Sequence, residues 1–116
     1  MTYTSLNLRN AKAAGSASGE IEALSLATGK VEWDDKVAQL PLGAVTVSND
    51  LIFTTLYDGE LIALNRRTGA IVYRHELPTS ANSPIAIAGD TVIVPAGDPR
   101  TATQRGGPEV VAYAVP

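Results

Sequence analysis

The sequence predicts an all-β fold made of repeated antiparallel four-stranded units. Three observations carry this. The chain matches itself at an offset of 40 residues. Short segments rich in Val, Ile, Leu, Thr and Tyr are separated by turn-forming pairs. No apolar stripe of helical period runs for ten residues or more.

The repeat comes first. Residues 19–37 read GEIEALSLATGKVEWDDKV and residues 59–77 read GELIALNRRTGAIVYRHEL, with six of 19 positions identical. Four more positions are close swaps: Ile21/Leu61, Val31/Ile71, Trp33/Tyr73 and Val37/Leu77. Residues 43–58 lie over residues 83–98 at the same offset, sharing Asp50/Asp90, Asp58/Asp98 and the apolar pattern. A third copy of the first half, Glu109 to Tyr113, matches Glu60 to Leu64 at an offset of 49. The nine extra residues fall in a segment rich in Gly, Thr and Arg, which reads as a surface loop over 97–108.

The turn pairs are Asn49-Asp50, Asp58-Gly59, Thr68-Gly69 and Gly89-Asp90. They bound segments of strand length, as hairpin turns do. A four-stranded antiparallel unit of about 40 residues is the size of a β-propeller blade. The complete blade is expected over 43–77, with strands near 43–48, 51–57, 60–65 and 70–76. An incomplete blade over 1–37 is expected before it, with strands near 2–8, 20–26 and 30–36 and a loop from Arg9 to Ser18. A second incomplete blade, over 83–116, is expected to place strands near 84–88, 91–95 and 109–115. That makes about two and a half blades, fewer than the four to eight that close a ring.

Composition narrows the function. Hydrophobic residues make up 45% of the chain, enough for a packed core. A formal net charge of −3 and a single adjacent basic pair, Arg66-Arg67, argue against nucleic-acid binding. No apolar run is long enough for a membrane span, and the first residues lack the basic head and apolar stretch of a signal peptide. There is no cysteine, so disulfides, thiol catalysis and cysteine metal sites are out. One histidine, His75, is too few for a histidine-based metal site.

Both copies of the repeat carry one motif. It reads Ala23-x-Ser25-x-x-Thr28-Gly29-x-x-x-Trp33 and returns as Ala63-x-Asn65-x-x-Thr68-Gly69-x-x-x-Tyr73. Thr-Gly suits a hairpin turn because Gly tolerates positive φ. Ser25 and Asn65 can bond turn amides. Trp33 and Tyr73 are flat, amphipathic side chains suited to docking between blades, and Ala23 and Ala63 leave room for them. Trp33 is expected to be mostly buried, and Tyr73 more exposed.

This motif resembles the repeat of the pyrroloquinoline quinone (PQQ) type propellers, Ala-x-Asp-x-x-Thr-Gly-x-x-x-Trp. Ser25 and Asn65 replace its Asp, and Tyr73 its second Trp. Leu40-Pro41-Leu42, Ser83-Pro84 and Ala112-Tyr113-Ala114-Val115-Pro116 follow in the order typical of the last blades of quinoprotein dehydrogenases, which makes Pro116 the expected natural C-terminus. The resemblance implies a periplasmic or extracellular parent. PQQ and calcium are the cofactors it implies there, held near the axis by groups from several blades. No cofactor is expected on this chain alone, which offers only a sector of such a site. The partners implied are the remaining propeller blades, from the same parent, from a separate chain or from self-association. A quinoprotein alcohol or sugar dehydrogenase is one parent the resemblance implies. The other is a non-catalytic scaffold for protein–protein interaction or envelope assembly.

No catalytic residue or metal ligand stands out. Trp33-Asp34 forms a Trp-Asp dipeptide, but the second copy reads Tyr73-Arg74 and no matching Gly-His occurs. Asp34-Asp35 reads as a solvated strand end, because calcium takes about six or more oxygens from a shaped loop. Asp58 and Asp98 read as turn formers. His75 lacks a nameable partner for general-base work, and Arg100 and Arg105 read as solvated loop residues.

Overall fold

A computed structural model describes residues 2–3, 17–97 and 108–114. Among these residues there is no helix; ten strands form three antiparallel sheets. The first sheet orders β1 (Thr2–Tyr3), β2 (Gly19–Leu24) and β3 (Val31–Val37). The second orders β4 (Thr46–Ser48), β5 (Leu51–Thr55), β6 (Glu60–Asn65) and β7 (Ile71–Glu76). The third holds β8 (Ala86–Ala88), β9 (Thr91–Ala96) and β10 (Glu109–Ala114). Every pairing joins strands adjacent in sequence, as a meander of hairpins requires. The expected segment 2–8 is described only at Thr2–Tyr3. The expected loops at 9–18 and 97–108 lie almost wholly outside the described residues.

The turns repeat as the sequence does. Asn49 and Gly89, which correspond at the repeat offset, both have positive φ, 52° and 58°. Asn is one of the few side chains that enters this region readily. Ser25 N–H donates to the Lys30 carbonyl at 2.8 Å, and Asn65 N–H donates to the Ala70 carbonyl at 2.8 Å. The pairing β2–β3 shifts register between Ala23 and Leu24, and β6–β7 shifts between Ala63 and Leu64. This bulge recurs at one repeat position, and it bends both outer hairpins alike.

Two apolar layers hold the sheets face to face. Ile21 and Val37 of the first sheet meet Ile52, Ile62 and Leu64 of the second, joined by Leu56. Leu61 of the second sheet meets Val94 of the third, with Leu77, Ala81 and Ile85 from the connecting segment. The second sheet is therefore covered on both faces. Its strand β6 is buried at four consecutive residues, Leu61 to Leu64. A strand buried on both sides reads as an unbroken apolar run. Strand β2 alternates Glu20, Ile21, Glu22, Ala23, because only one of its faces is packed.

Hydroxyls stitch the connections between sheets. Thr54 Oγ1 donates to the Gly43 carbonyl at 2.9 Å, and Thr54 is fully buried. Thr79 Oγ1 donates to the Gly97 carbonyl at 2.6 Å. Thr46 Oγ1, on the short strand β4, donates to the Ile85 carbonyl at 2.6 Å, just before β8. Most buried polar groups in folded proteins are bonded, and here each of these bonds spans two segments.

Candidate functional site

The residues of the repeated motif build a polar and aromatic contact between the first two sheets. Strand β3 delivers Trp33, and its register partner on β2 is Ala23. Paired residues share a face, so the small methyl of Ala23 sits beside the indole instead of a bulkier group. Trp33 is half-buried and packs against the core between the first two sheets. Its Nε1–H donates to the Arg66 carbonyl at 2.9 Å. Indole has one donor and no acceptor, and this bond uses it.

The turn that receives the indole is braced from within. Asn65 Oδ1 accepts from Arg67 N–H at 2.9 Å and from Thr68 N–H at 3.2 Å. Thr68 Oγ1 accepts from Ala70 N–H at 3.3 Å. Arg66 N–H donates to the Asp50 carbonyl at 2.8 Å, which ties this turn to the neighbouring β4–β5 turn. Gly69 lies directly under the indole. A Cβ added there would come 2.6 Å from Trp33 Cε3 and 2.8 Å from Cδ2. With φ at +75°, the position is closed to side chains by both backbone and neighbour.

The other half of the motif is arranged differently. Gly29 has the same backbone, φ +70°, but nothing lies within 4 Å of an added Cβ. Thr28 Oγ1 accepts from Lys30 N–H at 3.3 Å, the equivalent of the Thr68 bond. Ala63 is buried and pairs with Tyr73, which is 48% exposed. Thus Trp33, Ala23, Thr68 and Gly69 belong to one contact. Thr28, Gly29, Ala63 and Tyr73 stand outside it. Trp33 is packed against the core, whereas Tyr73 at the equivalent position is 48% exposed.

The sequence did not point to an aromatic cluster at the seam of the second and third sheets. Tyr73 stacks on His75 with ring centroids 6.3 Å apart, and His75 meets Tyr113 edge-on at 4.8 Å. Burial holds the Tyr113 hydroxyl above its ordinary pKa, with smaller contributions from Tyr73 and Glu109. The signal was available in part: Tyr73 and His75 are two apart on one strand and share a face. That Tyr113 would join them depends on how the sheets pack. The Asp58 carboxylate accepts from Glu60 N–H at 3.2 Å, which is the turn-forming role its position suggested. Arg100 and Arg105 lie outside the described residues.

Three carboxylates, of Glu20, Glu22 and Asp34, lie within 4.8 Å of one another on the outward face of the first sheet. One oxygen from each falls well short of the six to eight that calcium takes. Nor does the motif offer a cofactor cradle, since its indole N–H is spent on the Arg66 carbonyl and the Arg67 and Thr68 amides on the Asn65 carboxamide oxygen. The described residues by themselves do not fit PQQ or calcium.

Stacked antiparallel sheets of three, four and three strands with a repeated Thr-Gly turn define a sector of a β-propeller. A family model described as outer membrane protein assembly factor BamB matches residues 12–106, and the chain belongs to this PQQ-like propeller family. The crystal structure of BamB from Moraxella catarrhalis is similar at 32% identity and a TM-score of 0.55, over 60% of this chain and 22% of that one. A quinohemoprotein alcohol dehydrogenase from Pseudomonas putida HK5 shares the fold at 20% identity and a TM-score of 0.60, over 71% of this chain and 13% of that one. A europium-containing methanol dehydrogenase does so at 20% identity and a TM-score of 0.64, over 82% of this chain and 19% of that one. The chain therefore spans less than a quarter of each of these proteins. No curated protein matches it. No helix among the described residues is long and apolar enough to cross a membrane.

Proposed function

We propose that this chain is a packing sector of a larger PQQ-like propeller, and that the parent works as an interaction scaffold in envelope assembly. The supporting observation is where the polar groups of the motif go. Trp33 Nε1, Asn65 Oδ1 and Thr68 Oγ1 all bond backbone of the blade stack itself. The Trp33 bond holds one blade on the next, the Asn65 and Thr68 bonds brace the turn that receives it, and none of these groups is aimed at a ligand. In this reading Ala23, Thr28, Gly29, Trp33 and Ala63, Thr68, Gly69, Tyr73 form a repeated blade-docking motif. The division into an incomplete blade over 1–37, a complete one over 43–77 and an incomplete one over 83–116 belongs to the same proposal. The remaining blades are the partners, and the placement is periplasmic or extracellular. The likeness to BamB at 32% identity favours the scaffold over an enzyme.

A quinoprotein dehydrogenase parent is the second reading, favoured by the fold shared with two dehydrogenases. It places PQQ and calcium in the parent and leaves this sector without catalysis of its own. Titrating the purified chain with PQQ and calcium, followed by absorbance, tests the shared claim. No saturable binding is expected at micromolar concentration. A sub-micromolar Kd would overturn the packing-sector reading.

A further inference from the structure

Asparagine is chemically labile, because the backbone nitrogen of the next residue can close a succinimide ring on its side-chain carbonyl. Aspartate before glycine is open to the same attack. In a folded chain the outcome depends on whether that nitrogen and that carbonyl are already committed to hydrogen bonds, since committed groups react only after local opening.

At Asn65-Arg66 both groups are committed. Arg66 N–H donates to the Asp50 carbonyl at 2.8 Å. Asn65 Oδ1 accepts from the Arg67 and Thr68 amides. At Asp58-Gly59 the Gly59 N–H donates to the Leu56 carbonyl at 3.0 Å, and Asp58 Oδ1 accepts from Glu60 N–H at 3.2 Å. Gly59 is also buried against the Thr79 carbonyl, which leaves its backbone little room to swing. Asn49 is followed by Asp50, whose carboxylate opposes the amide anion that must attack.

Asn82-Ser83 differs. It lies in the connection from the second sheet to the third, outside any strand, and Asn82 is exposed. Ser83 N–H makes no hydrogen bond among the described residues. Ser83 Oγ donates to Asn82 Oδ1 at 3.3 Å, which holds the carboxamide toward residue 83 and polarises its carbonyl.

We infer that Asn82-Ser83 is the deamidation site of the folded chain, and that its isoaspartyl product loosens the seam between the second and third sheets. Ser83 N gives up its proton to solvent base and bonds to Asn82 Cγ. The Cγ–Nδ2 bond breaks and ammonia leaves. Water then opens the succinimide at either carbonyl, giving aspartate or isoaspartate with no change of oxidation state. The isoaspartyl link runs through the side-chain carbon and so adds one methylene to the main chain between Ala81 and Ile85. Both of these anchors are buried in the core of that seam, at 2% and 4% exposure. The Ile85 carbonyl also accepts from Thr46 Oγ1 at 2.6 Å. A longer link between fixed anchors forces one of them to shift.

The test ages the full chain in mildly alkaline buffer, folded and in urea, and follows each site by chromatographic peptide mapping with mass spectrometry. Dividing the folded rate by the unfolded rate removes the intrinsic reactivity of each pair. The ratio should be near unity at Asn82 and about tenfold or more lower at Asn65 and Asp58, where reaction waits on local opening. A ratio at Asn82 as low as at Asn65 or Asp58 would overturn the site. The isoaspartyl form, separated by chromatography, should melt below the Asn82→Asp variant, which carries the same charge on an ordinary main chain. Equal melting temperatures would overturn the loosening of the seam.

Discussion

Replacing Gly69 with alanine, with Gly29→Ala as its control, separates the cost of the turn from the cost of the dock. Both glycines sit at one repeat position with nearly equal φ, +75° and +70°. An L side chain in that region costs about 1–2 kcal/mol. Gly29→Ala should cost only this, because nothing lies within 4 Å of the new methyl. Gly69→Ala adds a methyl 2.6 Å from Trp33 Cε3, well inside contact distance. Either the indole lifts and strains its bond to the Arg66 carbonyl, or the turn shifts. Overpacking of this kind costs about 1–3 kcal/mol. The two effects sum to roughly 2–5 kcal/mol for Gly69→Ala. Urea unfolding followed by far-UV circular dichroism measures both variants. In a Trp33→Ala background the excess at Gly69 should vanish, since the neighbour that made it is gone. Equal costs for Gly69→Ala and Gly29→Ala in the parent chain would refute the docking argument.

Other expectations follow from single contacts. Trp33→Ala should cost about 2–3 kcal/mol, below the 3–5 typical of a fully buried aromatic, because the side chain is only partly buried; a thermal melt unchanged from wild type would count against the dock. Thr54→Val removes the donor to the buried Gly43 carbonyl and should cost about 1–3 kcal/mol by urea unfolding; a neutral result would mean that carbonyl finds another partner. The raised pKa of Tyr113 favours its protonated form in the folded chain, so that stabilisation is complete below the ordinary tyrosine value of 10.0 and is lost as pH rises through the folded value. Stability should therefore fall above about pH 10, and Tyr113→Phe should flatten that part of the profile; an identical alkaline fall in both proteins would assign it elsewhere.

The sequence by itself determined the local structure. The repeat and its turn pairs place β5, β6 and β7 within about two residues of their expected positions, because period-2 patterning and turn chemistry are properties of neighbours in the chain. It also singled out Trp33 and the Thr68-Gly69 turn as members of one motif. It did not show that Trp33 reaches the turn of the following repeat, 33 residues away, and not the turn of its own. That choice is made by sheet stacking, which sets Gly69 beneath the indole and leaves Gly29 open. The bulges after Ala23 and Ala63 were also invisible, since a register shift depends on two strands at once. Tertiary structure likewise joined Tyr113 to His75 and turned Val110 outward. Which side of each sheet is covered depends on whether another sheet stands beside it, and no single strand encodes its neighbour.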